Sequence, residues 1–223
     1  MQTMTAELSS SEPKAALRRG VQLTPSMTLP GFIMEFARNE EIFGDEEPAD
    51  FVYKVVSGAV RTARVLADGR RQVGAFLLPG EVFGVEHGDV HRFSAEAVSD
   101  CRIALVRRSA VDKAAEQCSR SARELWSLAA RDLNRLQDHI MLLGRKNASE
   151  RVGAFLLDMA MRTDGGDVVD LPMSRTDIAD YLGLTIETVS RTLTQLERDH
   201  AIALPSCRHI LLRNPAALAR LVS

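Results

Sequence analysis

The 223-residue chain is poor in cysteine, in net charge and in long apolar runs. Its three cysteines, Cys101, Cys118 and Cys207, are odd in number and far apart. That excludes a disulfide framework and a CxxC metal site, and it fits a reducing compartment. No stretch approaches the roughly twenty apolar residues of a membrane-spanning helix. Residues 1–20 are polar, with Lys14, Arg18 and Arg19 late and no apolar run of signal-peptide length. A flexible tail over 1–20 and a cytoplasmic protein without a membrane partner are therefore expected. A formal charge of −2 excludes the coating of nucleic acid by bulk positive charge. Any phosphate contact must come from a few placed groups.

What is present falls into two halves, as the length allows. Between Val21 and Val106 short alternating runs recur: MEF, FVYKVV, AVRTARVL, RQVGAFLL and RIALVRR, punctuated by Ser57-Gly58, Asp68-Gly69 and Pro79-Gly80. Short strands with frequent turn signals predict a β-barrel-like sandwich over 21–115, with Asp68-Gly69 as a hairpin turn. From Ser119 to Gly144 the period changes. Trp126, Ala129, Leu133, Leu136, Ile140 and Leu143 follow at intervals of three and four, a heptad seam on one long helix within 116–146. Leu125, Leu128 and Leu142 supply a second apolar face. One face can pack on the sandwich while the seam meets a second copy, so a homodimer is expected.

Lys146 to Ser149 marks a hinge into a third region, 147–223. Asn147 and Glu150 form a capping box for a helix through Thr163, with Gly165-Gly166 beyond it and Val152, Phe155, Leu156 and Met159 inward. Val168 to Leu171 reads as a short strand. Ser174, with Asp177 three residues on, caps a helix whose Ile178, Ala179 and Leu182 face inward and which Gly183 ends. Thr185 caps the next helix. Its Val189, Leu193 and Leu196 point to the core, which leaves Glu187, Thr188, Ser190, Arg191 and Gln195 wholly or partly outward.

Two such helices around a glycine turn make a helix-turn-helix. An outward arginine near the start of the second helix can donate two hydrogen bonds to guanine. A carboxylate can accept from cytosine, and a serine can sit near thymine. Glu187, Ser190 and Arg191 are thus the candidate base-reading set, and the competing reading is a solvated i, i+4 pair of Glu187 with Arg191. Ser174, Arg175, Thr185, Thr188, Gln195 and Arg208 are candidates for support or phosphate contact, together with Arg198 and helix N-termini. Ala201 to Leu204 and His209 to Leu212 predict two short strands around Pro205–Arg208, a wing.

These residues resemble the cyclic-AMP receptor and fumarate-nitrate regulator superfamily of bacterial transcription factors, and its FixK-type branch in particular. The resemblance covers nearly the whole chain. It rests on LPMSRTDIADYLGLTIETVSRTL, where the E-x-x-S-R pattern falls on Glu187, Ser190 and Arg191, and on Ile42 to Gly44, Tyr53 to Val60 and Pro79 to Gly84. It implies an α+β fold: an N-terminal β-roll of jelly-roll type, a long dimerisation helix and a C-terminal winged helix-turn-helix. The implied function is sequence-specific regulation of transcription, as an activator that recruits RNA polymerase to genes of low-oxygen respiration or nitrogen fixation. The implied DNA site is a palindrome of TTGA-type half-sites.

The resemblance also says what to expect of a sensor. In the cyclic-AMP receptor a Glu meets the ribose and an Arg the phosphate; the matching positions here are Val85 and Phe93, and Arg92 is one residue off, toward the other face of a strand. A buried phosphate without its counter-ion costs several kcal/mol. No cyclic nucleotide is expected to bind. The fumarate-nitrate regulators hold an iron-sulfur cluster through N-terminal cysteines, and residues 1–40 contain none. Haem ligation by His87 or His91 finds no CxxCH and no second ligand. His87, Asp89 and His91, in HGDVH, would share a face if they lay on a strand, which suggests a metal-dependent enzyme of cupin type as the alternative. A turn at Gly88-Asp89 would break that alternation and leave exposed loop residues. A ligand-sensing receptor of the same family is a further alternative. Cys207, beside Arg208 and His209, is a candidate redox thiol or an incidental half-buried one. No cofactor and no enzymatic activity are expected.

Overall fold

The computed structural model describes residues 19–86, 88–163 and 166–222. The predicted tail over 1–18 lies outside the described residues, as do His87 and Gly165. Arg19 and Gly20, assigned to that tail, instead open the first strand.

Two antiparallel sheets face each other in the N-terminal part. One has the order β1 (Arg19–Thr24), β2 (Met27–Phe36), β9 (Cys101–Arg107), β4 (Phe51–Ser57), β7 (Val82–Phe83). The other has β3 (Glu41–Phe43), β8 (Ser94–Ala97), β5 (Val60–Val65), β6 (Arg71–Leu77). Between them lie Phe32, Phe43, Tyr53, Val55, Val60, Phe83 and Ile103. The Asp68-Gly69 turn joins β5 to β6, with Gly69 at positive φ as such turns require. Gly84 is also at positive φ, and an added Cβ would lie 2.7 Å from the Tyr53 ring, so the turn after β7 admits only glycine.

Because strand side chains alternate, each sheet has a second face, apolar on the five-stranded sheet and mixed apolar and charged on the four-stranded one. On the five-stranded sheet, Val21, Met27, Val52, Ala104 and Val106 are covered by Val111 of α1 (Arg108–Gln117) and by Leu125 and Leu128 of α2 (Ser119–Arg145). Leu125 and Leu128 of the expected second face thus meet the roll here, whereas Leu142 packs against the core shared with the head. Helix α1 has one buried residue, Val111, and no side-chain cap at its start, so neither a buried stripe nor a cap marks it in the sequence.

On the four-stranded sheet, Ala59, Ala63, Val73 and Phe76 merge with the core of the C-terminal head. The head comprises α3 (Ala148–Arg162), β10 (Val168–Asp170), α4 (Arg175–Leu182), α5 (Ile186–Arg198), β11 (Ile202–Ala203), β12 (His209–Leu212) and α6 (Pro215–Val222). Val152, Phe155, Leu156, Met159, Ile178, Leu182, Val189 and Leu193 are all buried there. The Asn147–Glu150 and Ser174–Asp177 capping boxes both form, and Gly183 ends α4 in the left-handed conformation. β10, β12 and β11 make the sheet of the wing. No described helix is long and apolar enough to cross a membrane.

Candidate nucleic-acid interface

Helix α5 begins where the Thr185 hydroxyl accepts the Thr188 N–H at 3.2 Å. Its inner stripe, Val189, Thr192, Leu193 and Leu196, is buried. That stripe fixes the roll of the helix about its axis, and so exposes Glu187, Ser190, Arg191, Thr194 and Gln195 on the opposite side. The three predicted base-reading residues thus share one outward face within a turn and a half of the helix start. Ile186, exposed at 42%, stands at the tip of the same face. The sequence reading passed over it, because an apolar first residue of a helix usually faces the core.

Electrostatics suit the assigned roles. The Glu187 carboxyl is held below its usual range by its own backbone N–H at the helix start, then by the Thr185 side chain, and least by the Arg191 charge. It is ionised and purely an acceptor, as pairing with a cytosine amine needs. Glu187 and Arg191 are both exposed on this face, one turn apart, and the Arg191 charge adds to the lowering of the Glu187 carboxyl.

The supporting residues divide. Ser174 is occupied in its own cap: it accepts from the Asp177 N–H at 3.1 Å, and its hydroxyl donates to the Asp177 carboxylate at 2.7 Å. Thr185 caps α5, Thr188 lies hydroxyl to hydroxyl with it at 3.1 Å, and exposed Gln195 donates to Asp199 at 2.9 Å. Arg175 is drawn half into the protein; burial lowers its pKa, an effect that neighbouring Cys207 opposes. Arg208 is exposed at the wing tip, where its backbone N–H and that of His209 donate to the Ser206 hydroxyl. Cys207 is exposed in the bend from Pro205 to Arg208, where the alternative reading had it half-buried. His209 pairs with Asp170 across the wing instead of flanking the thiol.

The long helix carries the other candidate surface. Trp126 is 76% and Ile140 67% exposed, and Ala129, Leu133 and Leu136 are exposed with them. Five of the six seam residues therefore form an apolar stripe free of the rest of this chain. Leu143, the sixth, is half-buried against the head, and a Cβ on Gly183 would meet its Cδ2 at 3.7 Å.

Gly88 and Asp89 form a bend, not a strand, and among the described residues, which leave out His87 of the candidate set, no group of three potential ligands comes together. His91 is not an exposed loop residue. It is 1% exposed, stacks on Phe43 at a ring separation of 3.6 Å and bonds to Glu86 through Nδ1 at 3.0 Å. The aromatic core reaches past the turn and takes the ring in. At the position matched to the phosphate arginine, the Phe93 ring lies over Gly74, where an added Cβ would meet it at 3.5 Å. Val85 is 44% exposed.

A β-roll carrying a long helix and a winged helix-turn-helix, with the polar side of the second helix outward, defines a DNA-binding transcription regulator. Residues 150–221 match the Crp-like helix-turn-helix domain, and residues 33–118 match the cyclic nucleotide-binding domain. The chain is 56% identical to the nitrogen fixation regulation protein FixK of Azorhizobium caulinodans, over 84% of this chain and 78% of that protein. It is 44% identical to the protein of the same name from Rhizobium meliloti, over 87% and 89% respectively. The structure of FixK2 from Bradyrhizobium japonicum superimposes with a TM-score of 0.84 at 49% identity, covering 86% of this chain and 98% of that one. The chain belongs to the FixK-type branch of the cyclic-AMP receptor and fumarate-nitrate regulator family, and it is a transcription regulator, not an enzyme.

Proposed function

We propose that the protein is a homodimeric, cytoplasmic activator that reads a palindrome of TTGA-type half-sites and recruits RNA polymerase to genes of low-oxygen respiration or nitrogen fixation. The observation that carries this reading is the outward set on α5. Arg191 serves the guanine and Glu187 the edge of its complementary strand, while Ser190 and the exposed Ile186 stand near thymine, whose methyl an apolar group can contact. The exposed stripe on α2 supports a second copy, since a free seam of this size is otherwise left in water. The names of the relatives, nitrogen fixation regulation protein and transcriptional activator, support the target genes and the sign of regulation.

Activity in this reading needs no cyclic nucleotide and no iron-sulfur cluster. Val85 and Phe93 at the ribose and phosphate positions support the first statement. The absence of cysteine from residues 1–40 supports the second. Amount, proteolysis or oxidation then set the activity. The test is selection of random DNA by the purified chain with and without cyclic AMP. An inverted repeat containing TTGA, enriched equally in both arms, is expected; a non-repeated motif or a tenfold effect of the nucleotide would overturn it.

A further inference from the structure

Helix α4, the first of the helix-turn-helix, is bolted to the edge of the roll by buried charge. Asp177, 3% exposed, receives Arg61 Nη1 at 3.0 Å and Arg71 Nη2 at 2.6 Å on one carboxylate oxygen. Its other oxygen stays with Ser174. Arg71 also spans to Asp180 at 2.9 Å through Nε, and the Gln72 amide donates to the Asp180 carbonyl at 2.7 Å. Arg61 is held from behind by Glu96 of β8, at 3.0 Å through Nε. Beside these groups Phe76 of β6 packs on Tyr181 of α4, and the opposite side of Tyr181 meets His139 of α2, ring to ring at 4.1 Å. Arg151 donates to the carbonyls of Leu143, Lys146 and Leu182, which joins the end of α2 to the end of α4.

Such an arrangement is costly for a mere linker contact. Burying charges is repaid only by good geometry and full hydrogen bonding, and fixing orientation is a use to which buried ion pairs are put. In this clamped state the α5 reading face is free, so the clamp does not mask DNA contacts. What it does fix is the direction of α4, and through the Gly183 turn that of α5, relative both to the roll and to the helix that carries the seam.

We propose that Arg61 and Arg71 are positioning residues for DNA reading: by holding Asp177 and Asp180 they preset the spacing and angle of the two heads. The proposal rests on the dimeric reading given above. A preset pair of heads pays no ordering entropy on binding and tolerates little change in site geometry. One inserted base pair moves a half-site by about 3.4 Å and, at about 10.5 base pairs per turn, rotates it by roughly 35°.

The test compares the full-length chain with Arg71→Met and Arg71→Lys on the selected palindrome and on versions with one base pair inserted or removed at its centre. Arg71 is the right site, since Asp177 keeps Arg61 and Ser174 when it is lost. Arg71→Met should weaken binding at the best spacing by roughly two- to thirtyfold and shrink the discrimination between spacings, with Arg71→Lys recovering part of both. An equal loss at every spacing would mean that the pair only supports folding and would overturn the proposal. Unchanged binding, or tighter binding, would overturn it too. A second arm needs no DNA: with Cys118→Ser and Thr28→Cys, spin labels on Cys207 and residue 28 report the distance from head to roll. A distribution broadened by Arg71→Met supports the clamp, and an unaltered one refutes it even if the DNA reading itself were wrong.

Discussion

Arg191 and Arg208 are both exposed cations, one on the outward side of α5 and the other in the wing. Arg191 alone on the α5 face can make a bidentate contact to guanine, so Arg191→Ala should cost about 1–3 kcal/mol and relax preference at one base pair. Arg208 stands on the wing tip, so Arg208→Ala should weaken all sequences alike and lower the slope of log Kd against log salt by about one. Titrations against single-base variants at two salt concentrations check both. Uniform loss on Arg191→Ala, with full discrimination kept, would mean that the helix docks in another register. Asp177 offers a pH test. Its burial raises the pKa, but the Ser174 hydrogen bonds and the Arg61 and Arg71 charges outweigh this and leave it below 3.8. A depressed carboxylate adds stability above its unfolded value, and that stability is lost as pH falls through the folded one. The melting temperature should therefore drop as pH falls below about 4, and less steeply in Asp177→Asn. Equal acid slopes in the two proteins would contradict the clamp chemistry. The caps and the outward side of α5 were legible because each obeys a local spacing rule. The partners of Asp177 were not, since Arg61 and Arg71 lie on strands more than a hundred positions away and nothing local marks them.

At the scale of elements, α2 was the most legible and does the most varied work. One stripe, Leu125 and Leu128, covers the roll; another, from Trp126 to Ile140, faces outward. Replacing Leu136 and Ile140 together with charged residues should give monomers by sedimentation and abolish tight binding to the paired site, because neither side chain supports this chain's own core. A mutant that still sediments as a dimer would remove the seam from the account. Strand β5 was legible only in part. Its alternation predicted a strand, but not that Arg61 and Ala63, with Ala59 just before the strand, face another region of the chain, since a half-polar outer face usually meets solvent. Periodicity reports which residues turn together, and tertiary neighbours decide what they turn toward. His91 shows the same limit: HGDVH reads as an exposed turn until Phe43 is seen to stack on it.

For the whole molecule, the roll, the long helix and the head form one braced unit per copy. Its only proposed moving part is the association of two copies around DNA. That account predicts ligand-independent reading of paired half-sites, with affinity gained from joining two heads whose relative placement is already set. The measurement that tests it most directly is a titration of the purified chain against the palindrome, against a DNA of equal length carrying one half-site, and against a scrambled sequence, without any added effector. The account predicts one dimer per palindrome and binding at least about 100-fold tighter than to the single half-site, which in turn exceeds the scramble. Equal affinity for palindrome and half-site, or for palindrome and scramble, would contradict it.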